Sequence, residues 1–287
     1  MMRLATFSIV AADPSSGEMG VAVQSKFLSV GAAVPWASAD AGAVATQAWA
    51  NTAYGPRGLA LLRDGLSPND VIERLIRDDA QRDDRQVGVV SRDGRAASYT
   101  GSRCMEWAGG VAGDGYASQG NILAGPDVVP AMSRAYESAT GTLADRLIGA
   151  LRAGQRAGGD RRGQQSAALL IVKPAGGYGG FNDRYVDLRV DDHAQPIQEL
   201  ARLLELHKLY VFAAEPHDVL SVDAALGAEI ARLLGRAGEL PRGAAYDDVA
   251  RTALVRFMHR ENLENRVRDD GTIDRQTLEY LRAFVER

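Results

Sequence analysis

The first two dozen residues constrain the fold more than any other stretch. Thr6, Ser8 and Val10 alternate with Phe7, Ile9 and Ala11, which is strand periodicity. Asp13, Pro14, Ser15, Ser16 and Gly17 are a run of turn formers, and Met19 to Lys26 is again rich in β-formers. The stretch reads as an antiparallel hairpin. Its first strand starts with hydroxyls and its second ends in Gln24, Ser25 and Lys26. Three polar residues closing an apolar strand either leave the sheet for solvent or line a site, so the rest of the chain is expected to build a wall around that end.

With 287 residues there is room for one large domain, or one large and one small. A formal net charge of -4 offers no footprint for nucleic acid or an anionic membrane, and no apolar run is long enough to span a bilayer. Cys104 is the one cysteine, so there is no internal disulfide and no cysteine metal site. Arg3 is followed by no long apolar region, so no secretory signal is read and a cytoplasmic protein is expected. No cofactor is implied. Two scarcities say more. No histidine precedes His193, so neither a histidine triad nor a histidine metal site can be built from the part before it. Lys26 is the only side-chain amine before Lys173.

Beyond the hairpin, Ala41 to Ala48 reads as a buried strand with Thr46 and Gln47 near its end, and Pro35 marks an edge or loop before it. Asn51 to Gly58 reads as a loop, with a helix from Leu59. Ser67, Pro68 and Asp70 are a helix start, and the charges from Arg77 to Arg85 read as a solvated surface. Gln86 to Val90 and Ala96 to Thr100 form a hairpin about Arg92–Arg95. The glycine-dense run from Gly109 to Leu123 fits neither phosphate-loop spacing. Within it, Gln119 and Asn121 stand two apart and would face one side of a strand. Helices are expected over 126–138 and 142–153, and a buried strand over 167–172. Between them a glycine-bounded loop carries Asp160, Arg161 and Arg162, where an arginine fork could bind a carboxylate. An alternating strand over 185–191 and a helix over 196–212 complete the first domain. The order β-β-(β)-α-β-β-β-α-α-β-β-α, with hairpins on both sides of a helical block, points to antiparallel sheets layered with helices. Residues 216–287 read as a small helical domain of three helices, with Asp274 capping the last. At about seventy residues it is near the lower limit for independent folding.

Five stretches together resemble the DUF1028 family: Thr6–Ala11, Gly20–Lys26, Gly42–Gln47, Tyr54–Gly58 and Gly159–Ala167. They follow in the family's order across nearly all of residues 5–208. The family is grouped with the amino-terminal-nucleophile (Ntn) hydrolases. The resemblance therefore implies an α+β, four-layer αββα sandwich over residues 1–212, and hydrolysis of an amide bond in a small molecule or peptide. The tail, through Phe257, Glu261–Arg266, Ile273 and Asp274, resembles the peptidoglycan-binding-like module often fused to this family, which implies cell-wall binding.

The residues are compatible with that chemistry. An enzyme of this class uses a Thr, Ser or Cys nucleophile with its own α-amine as base. That amine titrates at about 7.7–8.0, so no histidine is required. The resemblance places the nucleophile at the start of the first strand, which is Thr6, with Ser8 the next hydroxyl. Thr6 gains a free amine only if residues 1–5 are removed, and methionine removal alone would not expose it because Ala5 precedes it. Lys26 could keep the amine neutral or bind a substrate carboxylate. Backbone amides at Thr46 and Gln47, or the Asn51 side chain, could stabilise an oxyanion. Gln24, Ser25, Gln119, Asn121, Asp160 and Arg161 complete the candidate substrate-binding set. Two other readings stay open: a non-catalytic small-molecule binder on the same scaffold, and an interaction protein acting through its tail. Alanine- and leucine-rich stripes could support a homodimer.

Overall fold

The structure is a computed structural model that describes residues 6–214 and 216–286. The expected removal of residues 1–5 concerns a segment outside the described residues. The chain divides into two compact units, one ending at Leu203 and one beginning at Leu204.

The first unit is the layered α+β sandwich that the sequence implies. The hairpin of β1 (Thr6–Asp13) and β2 (Glu18–Ser25) pairs in register from Thr6 with Ser25 to Asp13 with Glu18. A second sheet begins with β3 (Pro35–Ser38) and β4 (Gly42–Ala48). Helices α1 (Tyr54–Arg63) and α2 (Pro68–Arg77) follow, then the hairpin of β5 (Arg85–Ser91) and β6 (Ala96–Thr100). The chain returns to the first sheet with β7 (Gly109–Gly113) and β8 (Tyr116–Asn121). Helices α3 (Val128–Ser138) and α4 (Leu143–Arg156) and strands β9 (Ser166–Val172) and β10 (Arg184–Val190) complete it. The six-stranded sheet has the order β10-β9-β2-β1-β8-β7 and the four-stranded sheet β3-β4-β5-β6, all antiparallel.

Strand alternation assigns the faces. Val10, Val21, Val23, Ala43, Ala45 and Val90 meet in one cluster between the sheets. Val44, Val87 and Val89 point the other way, into a cluster with Leu59, Leu62, Val71 and Leu75 of α1 and α2. Phe7, on the outer face of β1, lies against Gly154 of α4, beside Met132 of α3. The layers are therefore helices, sheet, sheet, helices. Ser67 and Thr142 cap α2 and α4 by accepting the amides of Asp70 and Asp145.

Two expectations are corrected. Tyr54 to Gly58 is not loop but the first turns of α1. Pro56 sits in the first turn, where the amide would have no intrahelical partner. Gly55 lets the helix settle on Trp36, since a Cβ there would fall 2.2 Å from the indole. The charges after α2 are not all solvated either. Asp79 and Arg85 form an ion pair at 2.8 Å whose side chains are only 12% and 7% exposed.

Helix α5 (Pro196–Val211) carries the chain across the division between the units. The second unit packs α6 (Ala224–Arg236), α7 (Asp248–Arg260) and α8 (Arg275–Phe284) around Ile230, Leu234, Phe257 and Leu281. It also holds a feature not expected from the sequence, a two-stranded sheet of β11 (Val219–Ser221) and β12 (Thr272–Asp274). Asp274 caps α8, as expected, by accepting the amide of Thr277. Among the described residues no helix is long and apolar enough to cross a membrane.

Candidate active site

One end of the six-stranded sheet is polar across four strands. Ser166, Ser25, Thr6 and Asn121 stand side by side in register on β9, β2, β1 and β8. All four are 0–1% exposed. Thr6 shares the inward face of β1 with Ser8, and its hydroxyl is 3.2 Å from that of Ser25, to which it donates. Its hydrogen-bond partner among the described residues is thus another neutral hydroxyl.

The facing sheet supplies amides. Ser8 Oγ donates to Gln47 Oε1 at 2.6 Å and accepts from Gln119 Nε2 at 2.7 Å. Gln47 Nε2 donates to Gln86 Oε1 at 2.8 Å and to the Thr6 carbonyl at 3.3 Å. Gln86 Oε1 also accepts from Asn121 Nδ2 at 2.9 Å, and Gln86 Nε2 donates to Thr100 Oγ1 and the Gly120 carbonyl. The network thus ties the carbonyl of Thr6 to both sheets. Gly88 makes it possible: a Cβ there would lie 2.2 Å from Gln119 Oε1. Gln86 and Gly88 were not among the residues picked from the sequence. Gln86 sits in an alternating strand where one glutamine is unremarkable, and its role depends on the opposite sheet.

Lys26 and Asp160 meet just beyond this row. The Lys26 amide donates to Asp160 Oδ2 at 2.9 Å, and Lys26 Nζ donates to the Gln164 carbonyl at 3.2 Å. Asp160 is 2% exposed and also accepts the Arg162 amide at 2.9 Å and its guanidinium at 3.1 and 3.2 Å. The guanidinium on Asp160 is therefore that of Arg162, and it is engaged by the chain's own carboxylate; Arg161 was the arginine expected to bind substrate. The neighbouring Arg161 is exposed, and its amide donates to the Ile122 carbonyl at 3.0 Å. Asp160 fastens the 158–163 loop to the end of β2. Gly158, Gly159 and Gly163 let that loop turn, with φ of 115°, 59° and 106°.

Three candidates lie elsewhere. Thr46, on the outer face of β4, donates its hydroxyl to the Asn51 carbonyl at 3.1 Å and its amide to the Val34 carbonyl. Asn51 Nδ2 donates to Asp79 Oδ2 at 3.3 Å, beside Tyr54 Oη at 2.8 Å and Arg85 Nε at 2.8 Å. The Arg85 guanidinium, ahead of the Tyr54 hydroxyl, holds the Asp79 carboxyl far below the usual range, against the opposing effect of burial. Burial first, then the bond to Asp79, pushes the Tyr54 phenol well up. Gln24 points to the outer face of β2. Both polar atoms of its side-chain amide are buried without a partner.

The rim of the polar row is strained. Ala48 and Ile122, at the ends of β4 and β8, adopt φ of 64° and 52°, unusual for any residue but glycine and most of all for a β-branched one. Together with Asn121, Cys104 and Met105 they line a crevice of about 10 Å³. Such backbone costs of order 1–3 kcal/mol per residue and is maintained only where surrounding structure enforces it. Neither residue type announces a left-handed conformation, so the sequence carried no signal of this strain.

The sequence matches the "Family of unknown function (DUF1028)" over residues 6–200, and a family described as "Putative peptidoglycan binding domain" over residues 212–281. No curated protein matches it. Among solved structures it is similar to a DUF1028 protein from Silicibacter pomeroyi, at 33% identity and a TM-score of 0.67, covering 72% of this chain and 88% of that one. Sequence, layered sheets and structural neighbour agree: this chain belongs to the DUF1028 family.

Proposed function

We propose that the chain is an Ntn-type hydrolase of an amide bond in a small molecule or peptide, with Thr6 as nucleophile once residues 1–5 are removed. The observation that carries this reading is the setting of Thr6. It stands at the very end of a central strand, flanked in register by Ser25 and Asn121, with its carbonyl bonded from the facing sheet and its hydroxyl bonded to a neutral group. A hydroxyl so placed needs a base, and a new α-amine on the same residue would supply it.

In this reading Thr6 Oγ attacks the amide carbon and its proton passes to the α-amine. The amine then protonates the departing nitrogen as the C–N bond breaks. Water, deprotonated by the same amine, hydrolyses the resulting ester and regenerates Thr6. Lys26, next along β2 from Ser25, would disfavour protonation of the amine by its like charge. Ser25 and Asn121 would orient the substrate. Asn51, tied to Asp79, is assigned no part.

The test is the mass of the purified chain combined with an epoxyketone probe, which cross-links both the hydroxyl and the α-amine of an N-terminal threonine. The expected result is loss of the first five residues and a stoichiometric adduct that Thr6→Ala abolishes. An intact, unlabelled chain in every preparation that turns over an amide would overturn the mechanism.

A further inference from the structure

The first unit contains a groove of about 350 Å³, large enough for a small organic molecule. It lies between the end of α4, the loop before β9 and the start of α5. Arg152, Gln155 and Arg156 line it from α4, where residues three and four apart share a face. Gln164 lines it from the loop, and Gln195 and Gln198 from the start of α5, beside the buried Ile197. The groove is on the far side of the sheet from the Thr6 hydroxyl. Helix α4 packs on the outer face of β1, Gly154 against Phe7, whereas the Thr6 side chain points between the sheets.

The polar side chains of this lining have no internal partners. Among the described residues, neither guanidinium and none of the four glutamine amides makes a hydrogen bond or ion pair. Gln155 Oε1 is also buried, and a buried acceptor without a donor is costly. No acid lines the groove. The acids beside its members in sequence are engaged: Asp160 by Arg162 at 3.1 Å, Asp192 by Gln165 Nε2 at 3.1 Å, and Glu199 by Arg202 at 2.6 Å. Arg156, in the last turn of α4, offsets the helix dipole, but Arg152 stands a turn earlier and has no such role. Paired guanidinium groups match a carboxylate. Primary amides, each with an acceptor beside two donors, match the planar amides of a ligand.

We propose that this groove binds a small N-acylated amino acid. Arg152 and Arg156 hold its carboxylate, the glutamines its amide, and Ile197 meets its alkyl part. The site is independent of Thr6 and of the hydrolase reading.

The test is calorimetric titration of the full chain with N-acetylglutamine. The comparison ligands are its neutral carboxamide, heptanoate as a carboxylate without amides, and inorganic phosphate. N-acetylglutamine is expected to bind at least about tenfold tighter than each of them, with an affinity that falls as salt rises. Arg152→Ala and Arg156→Ala should each weaken it about tenfold, and Arg152→Ala should leave the melt unchanged because its side chain holds no partner. Gln198→Ala should reduce the preference for N-acetylglutamine over heptanoate and leave heptanoate binding as it was. Thr6→Ala should bind as the wild type does, which keeps this outcome separate from that of the hydrolase reading. Equal binding of N-acetylglutamine and its carboxamide, no binding of either, or indifference to both arginine substitutions would overturn the site. Heptanoate or phosphate binding as tightly as N-acetylglutamine would overturn the ligand assignment.

Discussion

Arg266 connects two helix ends of the carboxyl-terminal unit, and its removal should unfold that unit while sparing the other. Its guanidinium donates to the carbonyls of Lys208, Leu209 and Phe212, in and just after the last turn of α5, where backbone carbonyls lack helical partners. The same guanidinium pairs at 2.8 Å with Asp274, which caps α8. The two side chains are 2% and 0% exposed. Arg266→Ala leaves a buried carboxylate without its counter-charge, a loss of about 3–5 kcal/mol. A unit spanning 204–287 has a total stability on the order of 4–13 kcal/mol, so the change consumes a large part of it. Asp274→Asn should cost less than Asp274→Ala, because the amide oxygen still accepts from Thr277 and Arg266. The assay is urea denaturation of the full chain with two probes. Trp36, Trp49 and Trp107 all lie before Leu204, so tryptophan fluorescence follows the first unit, whereas helical circular dichroism follows both. Arg266→Ala should give an early loss of part of the helical signal at unchanged tryptophan midpoint. A loss under about 1 kcal/mol would refute the argument that this pair holds the unit together.

Other substitutions test the first unit. Gly88→Ala drives a Cβ into the Gln119 amide and breaks its bonds to Ser8, at a cost of about 2–4 kcal/mol in a tryptophan-monitored melt. Adding Gln119→Ala should restore part of that loss. Asp79→Asn should cost about 2 kcal/mol near neutral pH. Because the folded carboxyl titrates below its unfolded value, its contribution is present above about pH 4 and fades as pH falls toward the folded value. The wild type should therefore lose stability on acidification more steeply than the variant, and parallel acid limbs would count against the pair. Thr6→Ala removes one bond, to Ser25, and should cost only about 1 kcal/mol of stability; on the proposed hydrolase reading it also abolishes amide turnover. A large loss of stability with turnover retained would make Thr6 structural.

Much of the fold was legible because local chemistry and tertiary environment agree there. Alternation marked β1 and β2, Ser67 and Asp274 marked helix starts, and the two-residue spacing of Gln119 and Asn121 placed both on the inward face of β8. Other features were hidden. The start of α1 was masked by Gly55 and Pro56, turn formers whose use here depends on Trp36 across the layer. The Asp79–Arg85 pair looked like surface charge because burial is a property of the packed unit, not of the run from Arg77 to Arg85. Arg161 and Arg162 are chemically equivalent in sequence. Only the loop's turn decides that Arg162 reaches Asp160.

The polar core supports the proposed reading of the end of β1 as a site. Buried amides are costly unless bonded, and the chain could have filled this space with valine, as it does further along at Val10, Val23 and Val90. Instead Gln47, Gln86, Gln119 and Asn121 link to one another and to Ser8, with one bond reaching the Thr6 carbonyl. That network fixes the backbone of Thr6 from the opposite sheet and adds no charge of its own among the described residues. A nucleophile that must borrow its own amine as base requires a backbone that does not move. Gln47→Leu separates this account from simple packing. It removes the bond to the Thr6 carbonyl but leaves the Thr6 hydroxyl and its partner Ser25 untouched. On the proposed hydrolase reading, amide turnover should therefore fall further than the loss of stability explains, with the rate against pH showing the same amine-like midpoint in variant and wild type. Turnover unchanged in a folded Gln47→Leu chain would reduce the network to a polar core with no bearing on Thr6.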